Sequence, residues 1–142
     1  MNYRHIYHAG NFDDVFKHRV LISLIEHLQQ KEKGFSILDT HAGIGLYDLN
    51  SEAAQKTQEA TQGVLKLLAQ PHLPHALASY LKALQPYRLH PTSSMLSQFP
   101  GSPAIAAAML RPQDRLMLNE LHPEDAQTLR QTMRRFVSHG QI

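Results

Sequence analysis

The chain has 142 residues, a formal net charge of +2, and ten histidines that add positive charge just below neutral pH. This length suits one domain with a modest core, and the mildly basic balance permits nucleic-acid contact without requiring it. The sequence contains no Cys, which excludes disulfides and thiol chemistry. It also has no apolar run near the roughly 20 residues of a membrane span. We therefore expect a cytoplasmic protein without a membrane partner.

Aromatic, basic and histidine side chains interleave at the start of the sequence. The segment runs Tyr3-Arg4-His5-Ile6-Tyr7-His8-Ala9-Gly10-Asn11, and Lys17-His18-Arg19 follows shortly after it. Such side chains can stack on bases and pair with phosphates. A frayed polar terminus explains the same composition, so both interpretations stay open at this point.

The first regular elements are a predicted helix over residues 12–31 and a predicted buried strand over 35–39. Apolar residues recur at helical spacing in the first segment, Asn11 can cap its start, and Gly34 lies just past its end. The strand segment is a short apolar run bounded by glycines. A tight turn, His41-Ala42-Gly43-Ile44-Gly45, follows it.

Residues 51–98 differ in character from the rest of the chain. Ala, Gln, Leu and Lys dominate residues 51–90. Four prolines interrupt the helical pattern there: Pro71, Pro74, Pro86 and Pro91. Because proline stops helices, we predict two or three short helices packed as a hairpin or mini-bundle. We divide the chain into residues 1–50, an inserted helical subdomain over 51–98, and a continuation of the first unit over 99–142.

Strand and helix patterns resume from residue 99. Ser102-Pro103 is predicted to open a helix that runs to about Leu110, with Ser102 as the N-cap. Leu116-Met117-Leu118 predicts a second strand that ends at Asn119-Glu120, and Pro123 begins a further helix. Val137-Ser138-His139-Gly140 is predicted to start another strand. This order predicts an α/β fold with an open parallel sheet that looks cut short.

Two features at the predicted strand ends suit a nucleotide-like ligand. A side chain at Gly43 or Gly45 would fill space that a ligand occupies or would demand a forbidden φ. Glu120 ends the second strand, where a carboxylate can accept both hydroxyls of a ribose. The alternative for Glu120 is to cap the helix that begins at Pro123. The histidines show no compact metal-ligand spacing, so we predict no metal site.

Six motifs occur together and in order along the chain. They are Tyr3-Arg4-His5, His8-Ala9-Gly10-Asn11, Lys17-His18, Leu38-Asp39-Thr40-His41-Ala42-Gly43, Pro100-Gly101-Ser102-Pro103 and Glu120-Leu121-His122-Pro123. This set resembles the ribosomal RNA large subunit methyltransferase J family, whose members methylate adenine N6 in 23S ribosomal RNA. The similarity runs from the N-terminus to the chain end and is weakest across residues 51–98.

The resemblance implies a Rossmann-like, S-adenosylmethionine-dependent methyltransferase fold with a helical subdomain inserted after the first strand. It implies that the cofactor, whose product is S-adenosylhomocysteine, is contacted by four residues: His18, His41, Ser102 and Glu120. Glu120 would bind the ribose, His41 would lie beside the methionine or ribose portion, and His18 would close over it from the first helix. Tyr3 would meet the 23S ribosomal RNA. A capping role explains Ser102 equally well, and the two roles are compatible.

Two motifs of the family do not occur in these 142 residues. In the family, an Asp-Gly contacts adenine, and an Asp-Pro-Pro-Tyr holds the exocyclic amine in line with the methyl group and stacks on the flipped base. We therefore assign no catalytic residue within this chain. We expect a truncated fold that is inactive alone, derived from a ribosomal RNA adenine-N6 methyltransferase.

Two other functions remain open from the sequence. The chain could be a non-catalytic module that binds a nucleoside or RNA, or, ranked last, a helical adaptor centred on residues 51–90.

A parallel sheet with few strands leaves an exposed edge. We therefore also predict marginal stability or self-association through that edge.

Overall fold

The computed structural model describes residues 3–136, which form a mixture of helices and short strands. The strands are β1 (Ser36–Asp39), β2 (Leu46–Tyr47), β3 (Phe99–Pro100) and β4 (Arg115–Leu118). The α-helices are α1 (Phe12–Leu28), α2 (Glu52–Thr57), α3 (Glu59–Gln62), α4 (Val64–Leu68), α5 (Ala78–Leu84), α6 (Ser102–Met109) and α7 (Pro123–Met133). Short 3-10 helices cover His5–Tyr7, His75–Leu77 and Gln85–Tyr87. The strand predicted at Val137-Ser138-His139-Gly140 lies outside the described residues.

β1 and β4 pair in parallel, as the alternation of strand and helix predicts. Ile37 is opposite Leu116 and Asp39 is opposite Leu118, so both strands end at the same edge. The helix α6 precedes β4 and packs against both strands. The antiparallel pair of β2 and β3 was not predicted, because a strand of two residues is too short to show a periodic pattern.

The helix α1 begins where predicted and ends at Leu28 rather than at residue 31. The Asn11 side chain accepts a backbone N–H of the first turn at 2.9 Å, which confirms the predicted N-cap. The prediction that Gly34 closes this helix is wrong. Gln29 is the C-cap, and a Cβ at position 34 would instead collide with the backbone carbonyl of Gln113. Glycine is needed there because the two backbones approach closely.

The segment 51–98 contains four short α-helices and two 3-10 helices, whereas two or three short helices in a hairpin or mini-bundle were predicted. Gln58 adopts a left-handed φ of +54° that separates α2 from α3, and Gly63 separates α3 from α4. Neither break is at a proline, so the proline pattern could not predict them. Pro74 precedes the 3-10 helix His75–Leu77, and Pro86 lies within Gln85–Tyr87.

Two buried apolar clusters hold the elements together. The larger one joins residues of the helical segment to α1 and β3: Ile22, Val64, Leu68, Tyr80, Leu84 and Phe99. The smaller one joins α1, β4 and α7: Ile25, Leu116, Leu129 and Met133. The helical segment thus packs directly on α1. Within residues 3–136, no helix combines the length and the apolar character needed to cross a bilayer.

The two last helices begin close to the predicted positions. α7 starts at Pro123 as predicted. The prediction of Ser102 as the N-cap of α6 is wrong by one residue, since Gly101 is the N-cap and Ser102 is the first helical residue. The Ser102 hydroxyl therefore donates to the carboxylate of Asp39, at 2.5 Å, instead of accepting a helix N–H.

An ion pair at the opposite end of the parallel strands fixes their starting points. Asp114 is fully buried and accepts the Nε–H of Arg111 at 3.0 Å and the backbone N–H of Phe35 at 3.3 Å. The Arg111 guanidinium also donates to the backbone carbonyl of Lys31 at 2.8 Å. Because these bonds join the loop before β1 to the start of β4, they help to hold the register on which the site depends.

Candidate functional site

The parallel pairing brings two loops together at the carboxyl ends of β1 and β4. The Asn119 N–H donates to the carbonyl of Asp39 at 2.8 Å, and the Ala42 N–H donates to the carbonyl of Asn119 at 3.0 Å. The glycine turn and the loop after β4 are therefore bonded to each other by backbone groups. This edge of a parallel sheet is where α/β proteins usually bind their ligands.

Glu120 joins the two loops through its carboxylate. Oε2 accepts the N–H of Gly43 at 2.9 Å, and Oε1 accepts the N–H of His122 at 2.8 Å. Glu120 is not the N-cap of α7, because His122 occupies that position, but its bond to the His122 N–H lies at the start of the helix. Each carboxylate oxygen can accept a further hydrogen bond. Glu120 can therefore accept ligand hydroxyls while it remains fixed in place.

The two glycines of the turn have the positive φ angles that the sequence suggested. Gly43 has φ +64° and Gly45 has φ +83°. A Cβ at Gly43 would collide with the hydroxyl of Tyr47, and a Cβ at Gly45 would lie 3.1 Å from Thr132 Cγ2. The backbone conformation and the packing within the protein therefore both require glycine at these two positions. The other reason suggested by the sequence, space for a ligand, is not needed to explain them.

A cleft of about 680 Å³ opens beside these loops. It is lined by three of the predicted site residues, Tyr3, His41 and Glu120, and by Lys17 among others. Its volume lies within the range of roughly 300–1,000 Å³ that is usual for small-molecule sites. The N-terminal segment, the glycine turn and the loop after β4 all contribute walls to this cleft.

His18 and Ser102 lie on a smaller cavity next to the cleft. This cavity measures about 30 Å³ and is also lined by His41, which therefore borders both spaces. All five predicted site residues thus fall on two adjacent cavities. Ser102 donates to Asp39, the last residue of β1, so its hydroxyl oxygen keeps capacity to accept.

His18 is buried on α1 and is held by aromatic neighbours. Its ring stacks on Phe99, with centroids 5.5 Å apart, and lies 6.2 Å from the ring of Tyr80. Burial lowers the pKa of His18 to about 4, so the ring is neutral at pH 7. Its Nδ1 is buried and has no hydrogen-bond partner among residues 3–136. A buried polar atom of this kind is unusual and suits a ligand contact.

The N-terminal segment is attached to the site by a chain of hydrogen bonds that the sequence did not predict. The Tyr3 hydroxyl lies 2.8 Å from His5 Nδ1, and His5 Nε2 lies 2.8 Å from Oδ2 of buried Asp14. Lys17 Nζ lies 3.1 Å from the other oxygen of Asp14. Burial alone would raise the pKa of Asp14, but the His5 hydrogen bond and nearby charges lower it to about 2.

These contacts add three side chains to the site that were not assigned roles from the sequence. His5 and Lys17 line the cleft with Tyr3, and Asp14 contacts both of them. His5 and Lys17 were visible in the N-terminal motifs. Asp14 carried no comparable signal beyond its place in the first turn of α1, where an acidic residue is ordinary.

Arg4 and His8, which follow Tyr3 in the chain, attach the N-terminal segment to α7 and α3. The Arg4 guanidinium donates to Asp125 of α7 at 2.5 Å, and His8 Nδ1 lies 2.8 Å from Glu59 of α3. The ring of His8 also stacks on that of Tyr3, with centroids 5.3 Å apart.

Across the part of the chain that the structure describes, no group of three or more metal-ligating side chains occurs.

Comparisons with known proteins identify the family of this chain. The family model "RsmJ: Ribosomal RNA large subunit methyltransferase D, RlmJ" matches residues 32–139. The ribosomal RNA large subunit methyltransferase J of Haemophilus influenzae is 46% identical over 130 residues, which are 92% of this chain and 46% of that protein. The protein of the same name from Escherichia coli K12 is 45% identical over 130 residues, again 92% of this chain and 45% of its own length.

A solved structure is also similar to this chain. The crystal structure of a protein from Legionella pneumophila strain Philadelphia 1 matches with a TM-score of 0.75 and 40% identity, over 85% of this chain and 43% of that one. The mixed α/β fold and the family match fit the class of S-adenosylmethionine-dependent methyltransferases. The chain belongs to the ribosomal RNA large subunit methyltransferase J family. It spans about half the length of the curated relatives it matches.

Proposed function

We propose that this chain forms the cofactor-binding part of an enzyme that methylates adenine N6 in 23S ribosomal RNA. The observation that carries the proposal is the meeting of Tyr3, His41 and Glu120 on one cleft at the carboxyl ends of β1 and β4. Family membership supplies the reaction class, because the relatives are named as ribosomal RNA large subunit methyltransferases. The cytoplasm is the expected location of an enzyme with this substrate.

The residues present fit S-adenosylmethionine, which supplies a sulfonium methyl group when it is bound. Glu120 would accept the ribose hydroxyls, because its carboxylate is fixed by Gly43 and His122 and retains free acceptor capacity. The unpartnered Nδ1 of His18 and the hydroxyl of Ser102 would bind polar groups of the methionine portion. His41 would contact the cofactor between them, since it borders both cavities.

Tyr3 would meet the RNA substrate at the mouth of the cleft. Its side chain is 54% exposed, yet its hydroxyl is held by His5 and its ring is stacked on His8. An aromatic ring that is exposed and oriented in this way can stack on a nucleobase. Lys17, 62% exposed on the same cleft, can pair with a phosphate.

We propose that the Rossmann-like unit comprises residues 1–50 and 99–142, and that 51–98 is an insertion. The pairing of β2 with β3 supports this division, because it brings the chain back at residues 99–100 to the place it left at 46–47. The insertion packs on α1 through Tyr80 and Leu84, so we expect the two parts to unfold together. A single urea transition seen by several probes would support this expectation.

The Asp-Pro-Pro-Tyr motif does not occur in these residues, so we expect no methyl transfer by this chain alone. The competing hypothesis is a non-catalytic module that uses the same cleft for a nucleoside or RNA. Incubation with unmodified 23S ribosomal RNA and methyl-labelled cofactor tests the first expectation. Label at adenine N6 would contradict it and would require catalytic groups that we have not assigned.

Calorimetry with S-adenosylhomocysteine tests the cofactor site. We expect Glu120→Ala to weaken binding at least about tenfold, because the carboxylate that accepts the ribose hydroxyls is lost. Glu52→Ala is the matched control, since its carboxylate is 92% exposed and pairs only loosely with Lys56 at 3.9 Å. Thermal unfolding verifies that each variant is folded. Unchanged binding by folded Glu120→Ala, or no binding by the wild type, would refute the assignment.

The predicted self-association through the sheet edge remains a prediction. Light scattering after size exclusion measures it directly. Mass that rises with concentration would support it, and a constant monomer mass would oppose it.

A further inference from the structure

The N-terminal segment rests on the helical segment 51–98. The backbone N–H of Val64 donates to the carbonyl of Gly10 at 2.8 Å, and the Thr57 hydroxyl donates to the carbonyl of Tyr7. These bonds fix the main chain of the N-terminal segment at two points. They leave the orientation of its side chains to other contacts.

Glu59 of α3 reaches the side chains of the N-terminal segment. Its Oε1 lies 2.8 Å from His8 Nδ1, and its Oε2 accepts the Nδ2–H of Asn11 at 3.0 Å. The hydrogen bonds from His8 and Asn11 lower the pKa of Glu59, so the carboxylate is ionised at pH 7 and can only accept. His8 Nδ1 therefore carries the hydrogen of this bond, and the bond fixes the orientation of the His8 ring.

The orientation of the His8 ring determines the plane of the Tyr3 ring. The two rings are parallel within 2°, with centroids 5.3 Å apart. The hydroxyl of Tyr3 is held by His5, but a bond at the hydroxyl alone lets the ring turn about its long axis. Stacking on a nucleobase requires a defined ring plane. The stack on His8 supplies that plane.

An ordinary role in helix stability does not explain the contacts of Glu59. An acidic residue in the first turn of a helix is favoured by the helix dipole, and Glu52 in α2 is an example of this. The Glu52 side chain is 92% exposed and lies 3.9 Å from Lys56 of its own helix. The Glu59 side chain is only 34% exposed, and both its oxygens are bonded to the N-terminal segment. The dipole needs neither bond.

We propose that Glu59 is a positioning residue for RNA recognition. It holds the ring of His8, and His8 sets the plane in which the Tyr3 ring meets a nucleobase. The segment 51–98 thus serves the substrate side of the cleft through one carboxylate. This inference rests on the proposed contact between Tyr3 and RNA.

Filter binding with unmodified 23S ribosomal RNA tests the proposal. We expect Tyr3→Ala to weaken binding at least about fivefold, because a stacked base is lost. Glu59→Ala should weaken binding at least about threefold, since the Tyr3 ring is present but no longer oriented. Glu59→Gln keeps an oxygen that can accept the His8 hydrogen. Its affinity for RNA should therefore lie between those of the wild type and Glu59→Ala.

A double-mutant cycle distinguishes positioning from a general structural role. If Glu59 acts through Tyr3, Glu59→Ala has almost no further effect on RNA affinity in a Tyr3→Ala chain. An equal loss in both backgrounds would overturn the proposal. Exposed ion pairs contribute little to stability, so circular dichroism and thermal unfolding should show a folded Glu59→Ala chain. If that chain does not fold, Glu59→Gln replaces it in the cycle.

The matched control is Glu52→Ala, which removes the first residue's carboxylate from α2 instead of α3 and should leave RNA affinity unchanged. Calorimetry should give Glu59→Ala an S-adenosylhomocysteine affinity within about twofold of the wild type, because the contacts of Glu59 are to the N-terminal segment. A parallel loss of cofactor affinity would indicate general damage and overturn the proposal.

The remaining outcomes separate this inference from the function on which it rests. Weaker RNA binding by Tyr3→Ala but not by Glu59→Ala would refute the positioning role alone. Full RNA affinity in Tyr3→Ala, or no RNA binding by the wild type, would refute the proposed RNA contact of Tyr3 and the positioning role with it.

Discussion

The buried, neutral His18 makes the stability of the chain depend on pH in a calculable way. Its pKa is about 4 in the folded protein against an ordinary value of 6.5, because burial disfavours the charged ring. As the pH falls below 6.5, the unfolded chain binds a proton at this position before the folded chain does. Acid therefore favours unfolding, and the loss of stability levels off once the pH is below the folded pKa.

The magnitude follows from the two pKa values. Each pKa unit corresponds to about 1.4 kcal/mol, so His18 should lower the free energy of unfolding by about 2 kcal/mol between pH 7.5 and pH 5. Asp14 contributes little over this interval. Its pKa is depressed to about 2, so the stability it provides is lost only as the pH falls below the ordinary carboxyl value of 3.8.

Urea unfolding at pH 7.5, 6 and 5, followed by circular dichroism because the chain has no Trp, measures this effect. His18→Phe keeps an aromatic ring on Phe99 and removes the proton site, so its stability should fall about 2 kcal/mol less than that of the wild type over this interval. His72→Phe, in an exposed loop, is the control and should behave like the wild type. A His18→Phe chain as acid-sensitive as the wild type would refute the reasoning.

Three further substitutions test the site and its support. Gly43→Ala should lower the free energy of unfolding in urea by about 2–4 kcal/mol, because of the positive φ and the collision with the Tyr47 hydroxyl. Tyr47→Phe in the same chain should restore part of this loss. If it does not, the collision is not the cause. Asp114→Asn should lower the free energy of unfolding in urea by about 1–2 kcal/mol and leave the affinity for S-adenosylhomocysteine within about twofold of the wild type. A large change in affinity would contradict a purely structural role for Asp114. Ser102→Ala should leave α6 intact by circular dichroism, because Ser102 is not the N-cap of this helix. It should weaken S-adenosylhomocysteine binding several-fold in calorimetry, because the bond to Asp39 and the expected ligand contact are both lost. Unchanged affinity would remove Ser102 from the site.

The long elements were predictable because their sequences repeat a pattern several times. The helix α1, its cap at Asn11 and the start of α7 at Pro123 follow from apolar periodicity and capping residues, whereas β1 and β4 were predicted as short apolar runs. The strands β2 and β3 have two residues each and carry no such pattern. The break at Gln58 depends on a left-handed φ that its side chain does not signal.

The candidate site, too, could be predicted only in part from the sequence. The glycine turn and Glu120 could be recognised because both follow strands, and the motif set added His18, His41, Ser102 and Tyr3. The link from Tyr3 through His5 to Asp14 could not be predicted. His5 and Asp14 lie on different helices, and their contact depends on how the N-terminal segment folds back over α1.

The bonding of the two site loops through Glu120 has a thermodynamic consequence. Oε2 of Glu120 accepts the Gly43 N–H and Oε1 accepts the His122 N–H, so a ligand on this carboxylate would favour the arrangement in which both loops are held. A ligand that binds only this folded arrangement stabilises the chain by RT ln(1 + [L]/Kd), about 2.7 kcal/mol at a hundredfold excess over Kd. Thermal unfolding with and without S-adenosylhomocysteine would then report the occupancy of the site.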